Sequence, residues 1–191
     1  MGWIVKKAVF FDRDGVINRD YGYVGSLERF EFLPGVKDAL ATIKEMGYLT
    51  ILVTNQSGIA RGMYTVDDFD TVTEFMQGEL AARHAAFDGV YFCPHHPQAS
   101  VAAFRCDCAC RKPKPEMLFW AQKEFDIDLE HSIMVGDHAS DIEAAQNAGV
   151  KNLILVGTHL ATDGPLVPKA QRFADLPQFV QALQSGDITL Y

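Results

Sequence analysis

Five aliphatic runs mark the chain, AVFF (8–11), YLTILVTN (48–55), GVYFC (89–93), SIMVGD (132–137) and NLILV (152–156). Most are apolar throughout rather than alternating, a pattern that predicts strands buried on both faces. Helical spacing fills the intervals. PGVKDALATIKEMG (34–47) sets Val36, Ala39, Leu40 and Ile43 on one face, with Pro34 at its start and Gly47 at its end. TVDDFDTVTEFMQGELAARHAA (65–86) reads as one long helix. Thr65 caps it, acids fill its first turn, and Phe69, Val72, Phe75, Met76 and Leu80 form the inner face. PEMLFWAQKEF (115–125), with Pro115 in its first turn, ASDIEAAQNAG (139–149), closed by Gly149, and LPQFVQALQ (176–184) predict three more helices.

Strand and helix in alternation predict an α/β fold: a single Rossmann-like domain over 1–191, its parallel sheet covered by helices on both faces. No repeat and no low-complexity linker divides it. In such folds ligands bind at the carboxyl ends of the strands. Three of those ends carry polar residues: Asp12 and Asp14, Thr54 and Asn55, and Asp137 followed by Asp141.

Composition narrows the function class. A formal net charge of -8, with no Lys/Arg cluster beyond a pair, repels nucleic acid and anionic membrane, so neither is expected as a partner. No apolar run approaches the ~20 residues that span a bilayer. MGWIVKKAVFFDRDG interrupts its apolar stretch with lysines and is not read as a signal peptide. A soluble, cytoplasmic monomer is the expectation.

Each candidate motif is ordinary by itself. DRDG (12–15) could be a turn or a calcium ligand pair, VTNQSG (53–58) a strand-ending turn, RKPKP (111–115) a solvated basic loop, and GDHASD (136–141) a helix cap. Together they are not ordinary. An acid, a hydroxyl with an amide, a lysine and a second acid pair occur in that order, and a parallel sheet brings them to one crevice. These are the parts that phosphoryl transfer requires: a nucleophile, an oxyanion clamp, an acid/base and ligands for a divalent cation.

A second constellation lies in CPHHP (93–97) and CDCACRKP (106–113), which supply Cys93, His95, His96, Cys106, Cys108 and Cys110. Three cysteines within five residues fit poorly with isolated thiols. A tetrahedral Zn2+ needs four such ligands, which loops supply in close pairs.

With DRDGV (12–16), VTNQSG (53–58), RKPKP (111–115) and VGDHASD (135–141), the chain resembles the haloacid dehalogenase-like phosphatases along essentially its whole length. The resemblance implies that Asp12 attacks phosphorus. Asp14 would serve as acid and then base, its carbonyl helping to hold Mg2+. Thr54 and Asn55 would bind the transferring group, and Lys112 would neutralise it. Asp12, Asp14 and Asp137 would form the Mg2+ site, with Asp141 supporting it or Lys112. Mg2+ would make the paired acids of DRDG tolerable, and Asp14 argues against dehalogenation, since a halide needs no proton donor.

Within that superfamily, GYV…FEFLPGV, NQSGIARG and CPHHP resemble the D-glycero-D-manno-heptose 1,7-bisphosphate phosphatases of lipopolysaccharide biosynthesis. Their C-x-H followed by C-x-C implies Cys93, His95, Cys108 and Cys110 as the Zn2+ ligands. Cys106 is then an extra thiol and His96 a bystander, and Cys106 in place of Cys108 is the alternative. The segments that carry caps in relatives are short here, so no large cap domain is expected. Implied substrate contacts are Arg13, then Asp20, Tyr21, Gly22 and Tyr23, then Asn55, Gln56 and Ser57, and finally Arg111. Tyr21 and His138 depart from the family pattern, which often has His and Lys there. Competing readings are a histidinol-phosphate phosphatase, a polynucleotide 3'-phosphatase, which the charge opposes, and a zinc-stabilised binding module without catalysis.

Overall fold

The structure, a computed structural model, describes residues 6–191. The first residues of the stretch read as no signal peptide lie outside them. Six strands form one sheet: β1 (Ala8–Phe11), β2 (Leu49–Asn55), β3 (Gly89–Cys93), β4 (Ile133–Gly136), β5 (Asn152–Val156) and β6 (Gln171–Phe173). All pairings are parallel, in the order β3-β2-β1-β4-β5-β6. The helices are α1 (Val36–Glu45), α2 (Ser57–Ala60), α3 (Val66–Ala81), α4 (Glu116–Phe125), α5 (Ala139–Ala148), α6 (Leu160–Asp163) and α7 (Leu176–Ser185). Among the described residues, no helix is long and apolar enough to cross a membrane.

Strand periodicity divides the core into two layers. Val9, Phe11, Leu52 and Val135 face α1, α3 and α7, meeting Leu40, Met76 and Phe179. Ala8, Phe10, Ile51 and Met134 face the other way, onto Met117 and Leu118 of α4 and Ile142 of α5. Each such Phe, Leu or Ile contributes about 1.5–3 kcal/mol through burial, which is why β1 is apolar at every position. From β1 the chain builds outward to β3, then returns to place β4 on β1's free side. The strand order therefore reverses between β1 and β4, where Phe10 pairs with Met134 and Phe11 with Val135. In open α/β sheets that reversal opens a crevice beyond the strand ends.

Three expectations need correction. The long helix stops at Ala81, because nothing apolar at Arg83 or His84 continues its inner stripe. His84 turns at φ 56°, which lets Ala85 and Phe87 return to the core. Phe75 is 43% exposed and meets only the edge of the core, through Phe30, while Phe69, Val72, Met76 and Leu80 are buried. The sixth strand, QRF, has no apolar run because it is a half-exposed sheet edge. The caps at Thr65 and Gly149 are as expected, the first through a reciprocal pair with Asp68.

Candidate active site

Asp12 follows β1 directly, and its backbone N–H donates to Val135 of β4, so it stands on the reversal itself. Its carboxylate accepts from Lys112 Nζ at 2.8 Å. The same ammonium reaches Asp141 at 2.7 Å and donates to the carbonyl of Val53 at 2.7 Å. Lys112 arrives on a loop, and Asn55 fixes that loop from β2: its amide group brackets the Lys112 backbone, accepting at 3.0 Å and donating at 3.2 Å. Asp141 is fixed in turn by the N–H groups of Asp137 and His138, at 3.1 and 3.0 Å, in the first turn of α5.

Two glycines permit this closeness. A Cβ on Gly15, which sits at φ 84°, would lie 2.2 Å from Asp137 Oδ2, and one on Gly136 would lie 2.3 Å from Asp141 Cβ. Neither position tolerates a side chain.

The electrostatics are those of an acid-rich pocket. Burial pushes the Asp12 carboxyl up despite the opposing pull of Lys112. Burial, then Asp12 and Asp141, push Asp137 up to about 9. Burial alone would lower Lys112, but the two carboxylates beside it override that and hold its ammonium above the ordinary value. Two carboxylates thus share one ammonium, with the third, Asp137, close by. Donor oxygens of Asp12, Asp137 and Asp141 lie within 4.8 Å of one another, and Asp137 Oδ1 is buried with no hydrogen-bond partner among the described residues. An all-oxygen set with an orphaned, buried carboxylate oxygen fits a hard divalent cation such as Mg2+.

Asp14 faces the same crevice and is held by three donors. Arg13 Nη2 lies 3.0 and 3.1 Å from its two oxygens, Asn18 Nδ2 lies 2.9 Å away and Gln56 Nε2 3.1 Å. The crevice of about 440 Å³ is lined by Asp12, Asp14, Asp20, Gly22, Tyr23, Asn55, Ser57, Arg111 and Lys112 among others.

Several expected substrate contacts fall elsewhere. Arg13 is wholly buried beneath Asp14, so it cannot touch a substrate. Tyr21 points away, its hydroxyl donating to Glu31 at 2.5 Å. Gln56 lines the crevice, but its amide is spent on Asp14, Thr54 and Tyr64. Thr54 is buried and receives one of those bonds at 2.9 Å. Asn18 and Tyr64 were missed in the sequence, where a lone Asn and a lone Tyr give no signal.

Beside the crevice, Cys93, His95, Cys108 and Cys110 converge. Their sulfurs are 3.1 to 3.4 Å apart, and His95 Nδ1 lies 3.8 Å from Cys93 and 3.5 Å from Cys110. A Zn2+ tetrahedron with Zn–S of about 2.3 Å has S–S edges of about 3.8 Å, so the three sulfurs, already gathered with His95, would spread by about half an ångström to take that ion. Burial pushes the Cys110 thiol up to about 11, and a bound cation would reverse that. Cys106 is exposed, and His96 lies beside Arg61 instead, at 3.4 Å. Arg111 and Lys112 follow Cys110 directly, so this knot of thiols anchors the loop that carries both cations.

A family model described as HAD-hydrolase-like matches residues 109–178. The D-glycero-beta-D-manno-heptose-1,7-bisphosphate 7-phosphatase of Yersinia pestis is 48% identical over 179 residues, which covers 92% of this chain and 95% of that protein. Its counterpart in Escherichia coli (strain K12) is 47% identical over 185 residues, covering 93% and 95%. The chain belongs to this family. Among solved structures, the D,D-heptose 1,7-bisphosphate phosphatase from B. bronchiseptica, complexed with magnesium and phosphate, superposes with a TM-score of 0.81 at 30% identity, covering 94% of this chain and 99% of that one.

Proposed function

We propose that the protein is a Mg2+-dependent phosphatase that removes the 7-phosphate of D-glycero-D-manno-heptose 1,7-bisphosphate, in the nucleotide-heptose branch of lipopolysaccharide synthesis. The observation that carries the reading is Lys112 Nζ, which bridges Asp12 and Asp141 at the crevice that Asp14 also faces. Asp12 attacks phosphorus as the bond to the sugar oxygen breaks, and Asp14 delivers a proton to that oxygen. Water then attacks the aspartyl-phosphate, Asp14 takes its proton, and Asp12 is regenerated with release of phosphate. Lys112, with Thr54 and Asn55 at the end of β2, holds the phosphoryl oxygens. Asp12, Asp137 and the Asp14 carbonyl would hold Mg2+, which when bound would supply charge neutralisation for the transferring group.

Zn2+ on Cys93, His95, Cys108 and Cys110 is structural in this reading, and its thiolates suit a reducing cytoplasm. Residues 1–191 act as one domain. The crevice is complete within one chain, so a monomer suffices.

Phosphate release measured over sugar mono- and bisphosphates and histidinol phosphate, with and without Mg2+, tests the proposal. The heptose 1,7-bisphosphate should give the highest kcat/KM, and only with Mg2+. A preference for histidinol phosphate would overturn the substrate, and no release from any of them would leave only a zinc-stabilised binding module.

A further inference from the structure

At the edge of the phosphate crevice, which His138 lines, two histidines from different strand ends close on one oxygen of Asp137. His138 follows β4 and lies at the start of α5, while His159 comes from the loop after β5. Their rings stack with centroids 4.1 Å apart and planes inclined by 27°. His159 Nδ1 lies 3.2 Å from Asp137 Oδ2, and His138 Nε2 lies 3.7 Å from the same atom. The three donor atoms all lie within 4.8 Å of one another. With metal–nitrogen and metal–oxygen bonds of about 2.0–2.2 Å, adjacent ligand atoms of a tetrahedron are about 3.3–3.6 Å apart. The separations to Asp137 Oδ2 bracket that span.

The other ring nitrogen of His138 explains why this contact is unusual. His138 Nδ1 faces Asp163 Oδ2 at 3.1 Å, and the N–H of Ala139 donates to the same oxygen at 2.8 Å. A carboxylate at Nδ1 favours the tautomer that carries its proton there, which turns the Nε2 lone pair toward Asp137 Oδ2. Two acceptors then face each other at a distance too long for a hydrogen bond. A cation between them removes the conflict. Carboxylate, imidazole and metal in a row is also the arrangement by which proteins fix the tautomer of a ligating histidine. Both imidazoles are partly exposed, 43% for His138 and 35% for His159, so an ion has a path in from solvent.

We propose that Asp137, His138 and His159 form a second divalent-cation site, selective for imidazole-preferring transition ions of the Zn2+ class, with Asp163 as the outer carboxylate that orients His138. Imidazole suits Zn2+, Ni2+ and Cu2+, whereas the all-oxygen set of Asp12, Asp137 and Asp141 suits Mg2+. The two oxygens of Asp137 divide the work. Oδ1 is buried with no hydrogen-bond partner among the described residues, and Oδ2 meets the histidines. The site goes beyond the phosphatase reading and does not depend on it.

The test titrates Zn2+ into the full chain with its cysteine cluster already loaded and Mg2+ in excess, following heat and counting metal after equilibrium dialysis. Wild type should take up one Zn2+ beyond the cysteine cluster. His138→Gln and His159→Gln should each abolish it. Asp163→Asn should weaken it by about 10–100-fold, the usual cost of losing an outer-shell partner. No additional equivalent, or one that persists in the double variant His138→Gln/His159→Gln, overturns the site: a proton on His138, or Zn2+ in the Mg2+ position, then explains the contacts. Wild-type crystals soaked in Zn2+ decide the matter without any variant. An anomalous peak joining Asp137 Oδ2 to both imidazoles supports the proposal, and a peak confined to Asp12 and Asp137 defeats it.

Discussion

Arg13 Nη2 lies 3.0 Å from Oδ1 and 3.1 Å from Oδ2 of Asp14, on a guanidinium that solvent does not reach. The same nitrogen donates to the carbonyl of Val24, which ties the proton-handling group to the loop behind it. Arg13 is therefore a positioning residue. Arg13→Lys keeps a charge but not the reach of the planar fork, so the Asp14 carboxylate should drift. A misplacement of about 1 Å can cost about 10²-fold in rate, and the loss should fall on kcat with KM nearly unchanged. Steady-state kinetics on the two proteins checks this. A rise in KM at constant kcat would put the guanidinium against substrate instead.

Asp12→Asn should abolish turnover and leave the fold intact, because an amide has the same shape as the carboxylate but is no nucleophile. Asp14→Asn should lose about 10²–10⁴-fold, the usual worth of general acid–base catalysis. Rapid-quench labelling with a phosphate-labelled substrate should find protein-bound phosphate in wild type and none in Asp12→Asn. Turnover by Asp12→Asn within tenfold of wild type would sink the covalent route.

The order of acid, hydroxyl, lysine and acid pair was readable because strand ends in a parallel sheet share one edge, so linear order already implied convergence. Which side chains face the crevice was not readable. Arg13 and Asp14 are neighbours in sequence, yet one is sealed beneath the other, and only the packing of Val24 and Phe69 around the guanidinium decides that. Gln56 looked free to bind substrate, but its amide is spent on Asp14, Thr54 and Tyr64, each from a different segment. β6 escaped notice because an edge strand buries too little to need an apolar run. Phe75 looked internal because helical periodicity identifies a face but not the width of what covers it.

Removal of zinc should separate the cysteines. Cys108→Ser or Cys110→Ser should lower the metal content by about one equivalent per chain, since structural zinc needs all four ligands. The melting temperature should fall with it, because metal binding and folding are coupled. Cys106→Ser should change neither, as its thiol lies outside the cluster. Elemental analysis and thermal melts of the three variants decide. Loss of metal in Cys106→Ser with retention in Cys108→Ser would exchange the two residues.

A bisphosphate needs a second cation, because Lys112, in its bridge between Asp12 and Asp141, serves the reacting phosphate. Arg111 lines the crevice, whereas Arg61 stands beside His96 and the ring of Tyr23. The backbone of Arg111 is pinned between Cys110, within the thiol cluster, and Lys112, which Asn55 clamps. Among the described residues its side chain makes one weak hydrogen bond, Nη1 to the His95 carbonyl at 3.4 Å, which leaves the fork available for phosphate. A pinned backbone loses little entropy on binding. Arg111→Ala should remove about 2–5 kcal/mol of interaction with the distal phosphate, as truncating a buried charge pair does. At about 1.36 kcal/mol per decade, that is roughly 30-fold or more in kcat/KM for the bisphosphate. A small monophosphate should be hydrolysed almost as before, since nothing about the reacting phosphate has changed. Measuring kcat/KM for both substrates in both proteins gives the answer. An equal loss on the two would mean that Arg111 grips the reacting phosphate, and the loop would then have no part in telling a bisphosphate from a monophosphate.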